Sequence, residues 1–312
     1  MKIKHLKDKI FGVDATQKSG NGLFVTIEEL IAQRRYASRW GSLPNQHFTS
    51  ERAGDVKSVF KGRGMEFEEI RAYSFGDDVR DIDWRVTARK LVPYTKLYAE
   101  EKDREVYVLL DLSPQMLFGT KKELKSVTAA KITAGIGWQC LKNKDRFGCL
   151  IFDGNESVLI KAQHSQANMM FIFQKIATCT QQILRSTTSI HESSLKKALQ
   201  LLQQSIKHRA IIFVISDFND FSDELRKLLV LLAKKADVSC VNVFDCLEQN
   251  PPIADEYMVQ QGNKRLVFSS ANTAFRNEYI QYFAQKHQKL KDFCRQFHLH
   301  YFEQTTGFCD KN

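Results

Sequence analysis

Glu105 to Gln115, EVYVLLDLSPQ, is the stretch on which the fold turns. Val106 to Leu110 is an unbroken apolar run bounded by Glu105 and Asp111, too short for a helix. A run of this kind reads as a strand buried on both faces. Asp111 and Ser113 then put a carboxylate and a hydroxyl just past its C-terminal end. In open α/β sheets that edge is where ligands bind.

Toward the C-terminus, strands and helices alternate. A helix over Lys121–Leu141 carries Ala129, Ala130, Ala134, Gly135 and Gly137, small enough to lie close against a sheet. Strands over Arg146–Phe152 and Ser157–Lys161 flank Asp153-Gly154-Asn155, a hairpin signal. Helices follow over Ser165–Gln182 and Ser194–Lys207. Ala210–Ile215 is a central strand ending in Ser216-Asp217-Phe218. A helix capped by Ser222 runs to Lys235, and a strand over Val238–Phe244 ends in Asp245. Residues 246–272 read as an edge hairpin, Thr273–Phe297 as a long helix and His298–Glu303 as a last strand. The pattern predicts a doubly wound, mostly parallel sheet with helices on both faces, over residues 104–312. The hairpin over Arg146–Lys161 adds one antiparallel edge.

Toward the N-terminus the character changes. Residues 1–40 form a basic segment with one helix, opened by a Thr26–Glu29 capping box. Its Arg34, Arg35 and Arg39 make either a solvated face or a docking face. Residues 41–103 form a small, β-rich charged element. In it acidic and basic residues interleave, Ser74-Phe75-Gly76-Asp77 makes a turn, and Leu91–Tyr98 is a strand. It is too short and polar to hold a core alone, so it is expected to pack on the α/β domain or on a partner.

The 312-residue chain is 43% hydrophobic and carries a formal net charge of +10. The basic excess lies in residues 1–40, with eight basic and four acidic side chains, and in 121–146, with seven and two. Such an excess attracts anionic partners. With no arginine-rich run and no aromatic–basic alternation, nucleic acid is not the expected one. No apolar stretch reaches the ~18–20 residues of a membrane helix, and MKIKHLKDKI leads into no apolar signal core. The seven cysteines form no C-x-x-C pair and fit reduced core thiols of a cytoplasmic protein.

Two constellations could carry chemistry. Asp111, Ser113 and Asp217, with Ser193 as a fourth, would meet at the carboxyl edge as a hard-oxygen site suited to Mg2+. The plainer reading is that these side chains cap loops and helices. The second is the Arg/Asp run of Arg71, Asp77, Asp78, Arg80, Asp81, Asp83, Arg85 and Arg89, with Trp84, which could be catalytic or bind phosphate but, with no histidine or nucleophile beside it, reads first as a structural ion-pair network. There is no Walker A motif, no G-x-G-x-x-G after a strand and no G-x-S-x-G. An aspartate phosphatase wants a second acid two residues after Asp111, where Ser113 stands.

GRGMEFEEIRAYSFGDDVRDIDWRVTAR, then EKDREVYVLLDLSPQM and a lysine-led helix, together resemble the bacterial family of domain of unknown function 58 (DUF58). The main part of that family is similar to a von Willebrand factor A domain, and the resemblance covers about residues 60–245. It implies a von Willebrand factor A-like, Rossmann-like fold with a metal-ion-dependent adhesion site (MIDAS). Asp111 and Ser113 match that site's Asp-x-Ser-x-Ser loop, Ser193 in HESSLKKAL stands for its threonine, and Asp217 matches its third loop. Gln115 stands where the second serine should be, so the site is degenerate: its carbonyl oxygen can still meet a Mg2+ ion, but the side chain is longer and can block it. The resemblance further implies a short soluble member that partners a MoxR-type AAA+ ATPase, and other von Willebrand factor A proteins, as an adaptor in protein assembly or maturation. The expected function is thus a non-enzymatic, cytoplasmic interaction protein. Its carboxyl edge would receive a partner's acidic side chain, and the run from Arg71 to Arg89 would serve as brace or second docking face. The rival is a Mg2+-dependent hydrolase or nuclease using Asp111 and Asp217, for which no general base is evident. A nucleic-acid binder would use Arg34, Arg35, Arg39 and the lysines of 121–142.

Overall fold

The structure, a computed structural model, describes residues 21–40, 65–75, 77–100, 104–185, 195–206, 210–261 and 264–307. They fall into two compact units, one of residues 1–42 with 104–312 and one of residues 43–103.

The small unit is an antiparallel pair, β1 (Met65–Ala72) and β2 (Tyr94–Glu100), joined through a short helix, α2 (Trp84–Lys90). Asp83 caps that helix, accepting from the amides of Arg85 and Val86 at 3.0 and 3.1 Å. Leu91 closes it in the left-handed region, at φ 57°. Among its described side chains only Thr95 is buried, as expected of an element too polar for its own core.

The large unit is built on a six-stranded sheet. Its strands are β3 (Glu105–Asp111), β4 (Arg146–Phe152), β5 (Ser157–Gln163), β6 (Ala210–Ser216), β7 (Ala236–Phe244) and β10 (His300–Thr305). Their order is β10-β7-β6-β3-β4-β5, parallel throughout except for β5, which runs antiparallel to β4. This is the doubly wound, mostly parallel architecture expected from the sequence. The strand order reverses between β3 and β6, so the crevice at that switch point lies just beyond Asp111 and Ser216.

Alternation along each strand divides the core into two layers. Tyr107 and Leu109 of β3, Ile212 and Val214 of β6 and Val238 and Cys240 of β7 share a cluster with three helices. These are α5 (Leu195–Ser205), α6 (Asp223–Ala233) and the C-terminal part of α8 (Thr273–Gln296), which brings Leu290, Phe293 and Cys294. The opposite face takes α3 (Lys125–Lys142) and α4 (Gln166–Arg185). Sixteen residues of α3, Lys125 to Cys140, are buried, which explains its alanines and glycines: a Cβ on Gly137 would stand 2.9 Å from the Phe147 ring.

Three features differ from the sequence reading. The N-terminal helix, α1 (Ile27–Ala32), is not a segment apart. Its capping box forms as expected, but Leu30 is fully buried, Trp138 Nε1 donates to the Leu30 carbonyl at 3.2 Å, and Val25 N donates to Thr180 Oγ1. Its continuation over Gln33–Trp40 is 3-10 rather than α-helical. The hairpin within 246–272, β8 (Glu256–Gln261) with β9 (Lys264–Ser269), is a separate two-stranded sheet and not an edge of the main one. It follows a one-turn helix, α7 (Cys246–Gln249). Ser222 occupies the N-cap of α6, yet its hydroxyl makes no capping bond. No helix among the described residues is long and apolar enough to cross a membrane.

Candidate functional site

Three neighbouring parallel strands, β3, β6 and β7, each lead into an aspartate at the carboxyl edge: Asp111, Asp217 and Asp245. Each turns its chain in the same way. One carboxylate oxygen accepts the amide two residues on, from Ser113 at 2.9 Å, Asn219 at 3.1 Å and Leu247 at 2.9 Å. Short acidic side chains at strand ends readily make such Asx turns. What differs is how each buried carboxylate is balanced.

Asp111 is 4% exposed, and its second oxygen accepts the Ser216 hydroxyl at 2.6 Å across the switch point. Burial raises its pKa to about 6; the Ser216 hydroxyl opposes the rise, and the Asp217 charge adds to it. Asp245 has no exposure but four donors. Besides Leu247 these are the Thr120 hydroxyl at 2.5 Å, the Thr120 amide at 3.1 Å and the Thr306 hydroxyl at 2.7 Å. Burial pushes its carboxyl up, but those hydrogen bonds outweigh it and hold the group below the usual range.

Asp217 is balanced by a cation from elsewhere in the chain. Lys125, at the first turn of α3 and 1% exposed, donates from Nζ to Asp217 Oδ2 at 2.8 Å and to Glu248 Oε1 of α7 at 2.9 Å. Burial opposes the ammonium charge, but the two carboxylates overcome it and raise its pKa. The next residue, Phe218, is held at φ 45° and is buried. A positive φ is unusual for an aromatic residue and marks a loop fixed by its surroundings.

Of the residues expected to form a metal site, the structure brings Asp111 and Asp217 close enough for their charges to interact, with Ser113 half-buried on the loop after Asp111. Gln115 is exposed. Ser193 lies outside the described residues. The donor set does not fit a divalent ion: both Asp111 oxygens accept protein donors, and Asp217 holds an ammonium. Among the described residues no group of three or more histidine, cysteine, aspartate or glutamate side chains has the geometry of a metal site. Asp111 and Asp217 are both buried, at 4% and 5% exposure.

The sequence reading missed Lys125, Glu248, Ser216 and Thr120. Two of them left a signal. Asp245 and Glu248 are a readable capping box, which forms, and Lys125 stands charged at the head of a helix of small and apolar residues. Beside the Asp217 loop a cleft of about 220 Å3 opens, lined among others by Asn219, Arg226, Lys286, His287 and Lys289. Lys286 Nζ donates to Asn219 Oδ1 at 2.6 Å, and Arg226 stacks over the Phe221 ring at 4.7 Å. Burial lowers the pKa of Lys286 and of His287; the Glu303 carboxylate opposes the latter shift.

Much of the basic excess of 121–146 is consumed internally. Lys131 pairs with buried Glu123, and Arg146 with Glu105 at 3.2 Å, so with Lys125 these side chains are not free to meet a nucleic acid. Cys140, Cys149 and Cys240 are buried free thiols raised above the ordinary range, Cys140 and Cys149 by burial and Cys240 first by a contact with Cys294.

Within the small unit the charged run resolves into local devices more than one network. Arg71 pairs with Asp77 at 2.7 Å and also donates to the Ser74 hydroxyl. Asp78 accepts the Arg80 amide at 2.9 Å, and Lys96 sits 3.3 Å from Asp83. Trp84 is 67% exposed, and the Arg80 and Arg89 side chains are exposed.

Comparison with known proteins places matches on both units. The family described as Protein of unknown function DUF58 matches residues 69–289. An uncharacterized protein of Mycobacterium tuberculosis is 27% identical over 234 residues, which cover 72% of this chain and 70% of that protein. Among solved structures, an aerotolerance-related membrane protein of Bacteroides fragilis aligns with a TM-score of 0.42 at 13% identity, covering 65% of this chain and 92% of that one. The SpRpn10 VWA domain aligns with a TM-score of 0.36 at 11% identity, covering 66% and 89%.

Proposed function

The chain belongs to the DUF58 family, and from that premise we propose that it is a non-enzymatic adaptor that docks an acidic segment of a partner protein at the carboxyl edge of its sheet. The partner proposed is a MoxR-type AAA+ ATPase, alone or with another von Willebrand factor A protein, and the setting is cytoplasmic assembly or maturation of other proteins.

One observation carries the reading. The carboxylates of the edge are taken up by protein donors, while the cleft next to them carries Arg226, Lys286 and Lys289. A hydrolase needs a carboxylate free to act as base, or a metal that activates water. Asp111 and Asp217 are instead engaged in holding loops. The cationic cleft is suited to an acidic side chain, because complementary charge both speeds encounter and selects the partner. The ATPase is what the resemblance to the DUF58 family implies, and the cleft supports an acidic contact.

The test is capture of the ATPase on tagged full-length chain, comparing wild type with Lys286→Glu/Lys289→Glu. Replacing two cations by anions is expected to lower capture at least tenfold, about 1.4 kcal/mol or more, with an unchanged melting temperature. Equal recovery would remove the cleft from the contact. A Mg2+-dependent phosphodiesterase activity lost in Asp217→Ala would favour the hydrolase instead.

A further inference from the structure

We propose that Lys125 is the resident cation of the carboxyl edge, its ammonium filling the place a divalent metal would take and making the site independent of metal. This goes beyond the adaptor reading and stands or falls separately from it.

Three physical costs act against a lysine at this position. Its side chain is 1% exposed, and a buried ammonium is expensive unless paired. It sits at the first position of α3, where the positive end of the helix dipole disfavours a cation. Fixing its long side chain forfeits about 1.5–2 kcal/mol of rotamer entropy. Packing alone is better served by leucine or methionine, so the charge needs a reason.

The reason lies in what the ammonium joins. Nζ bonds Asp217 Oδ2 at 2.8 Å and Glu248 Oε1 at 2.9 Å, and lies 5.8 Å from the Phe118 ring centre. Those groups come from the loop after β6, from α7 after β7 and from the loop after β3, with Lys125 on α3. The two hydrogen bonds join the loop after β6 to α7 after β7, the Phe118 ring of the loop after β3 lies against the ammonium, and Asp217, an expected metal ligand, is held by it. The ammonium offers directed N–H donors where a divalent ion would demand further oxygens. Asp111 does not reach it; its oxygens are satisfied by Ser113 and Ser216.

The experiment is thermal unfolding of the full chain, with and without 5 mM Mg2+ or Mn2+ and after EDTA, for wild type, Lys125→Met and Lys125→Ala. Wild type is expected to melt at the same temperature in all conditions. Lys125→Met keeps the side-chain volume but leaves Asp217 buried without its cation, and is expected to melt roughly 5–10 °C lower. Lys125→Ala empties the position and is expected to gain a metal-dependent rise that wild type lacks. A rise of the wild-type melting temperature with Mg2+ that Asp217→Asn abolishes would overturn the assignment, as would an unchanged melting temperature in Lys125→Met. If neither variant folds, the wild-type response to Mg2+ and EDTA decides it. Because no partner enters the measurement, its outcome is separate from that of the capture experiment.

Discussion

Asp111→Asn should change how stability depends on pH, by an amount that follows from the site. The Asp111 carboxyl is raised from 3.8 to about 6, first by burial. A carboxyl that binds its proton more tightly when folded adds stability at low pH. That contribution is complete below pH 4 and is lost as pH rises through about 6. A tenfold difference in proton affinity is about 1.4 kcal/mol, so the full contribution is about 3 kcal/mol. Between pH 5.0 and pH 7.5 the linkage expression gives a loss of about 1.4 kcal/mol from this one group. Asparagine has nearly the same shape. Its oxygen can still accept the Ser113 amide, and its amide can donate to the Ser216 hydroxyl, which already accepts the Phe218 amide at 3.3 Å. The assay is urea unfolding of wild type and variant at pH 5.0, 6.0, 7.0 and 7.5. Histidines and other carboxylates contribute to both proteins and cancel in the difference. The stability of Asp111→Asn relative to wild type should therefore improve by about 1.4 kcal/mol across that range. A difference that stays constant with pH would refute the reasoning, since it would mean that Asp111 titrates alike in the folded and unfolded chain.

Gly148 should not tolerate alanine. It lies where the β4–β5 register shifts, and a Cβ there would stand 2.6 Å from the Tyr107 ring and 2.8 Å from the Ala162 backbone nitrogen. Gly148→Ala is expected to cost about 1–3 kcal/mol, as overpacking does, read as a lower urea midpoint with an unchanged slope. The thiols should divide by burial: with Ellman's reagent, Cys140, Cys149 and Cys240 should stay unreacted in the native protein and react once it unfolds in guanidinium, because burial both hides them and disfavours the thiolate.

The main strands were legible because strands covered on both faces must be apolar throughout, and Val106–Leu110 and Ala210–Ile215 are. The same logic locates Asp111 and the Ser216-Asp217 pair, since the first polar residues after such a run fall at the sheet edge. What those aspartates touch was not legible. Lys125 meets Asp217 across 92 positions and Glu248 across 123, and no local spacing encodes such a pair. The sequence shows the hairpin of β8 and β9 but not its separation from the main sheet, because an exposed hairpin and an edge strand share one alternating pattern and only pairing separates them. Charge sets the N-terminal helix apart in the sequence, whereas its place is decided by Leu30 within it and Val25 just before its cap, both fully buried.

The three strand-end aspartates show why the crevice can hold so much negative charge without a metal. Buried carboxylates close together cannot all remain bare, and this chain solves the problem three ways. Asp245 is ringed by four hydrogen-bond donors and stays ionised. Asp217 has its own ammonium. Asp111 has a hydroxyl and one amide, too few to offset burial, and so its carboxyl rises to about 6. A metal would impose one solution on neighbouring carboxylates by drawing them to a common centre. Separate solutions leave each loop held by its own bonds. The edge then needs no ion to keep its shape, and beside it Lys289 faces solvent while Lys286 donates to Asn219.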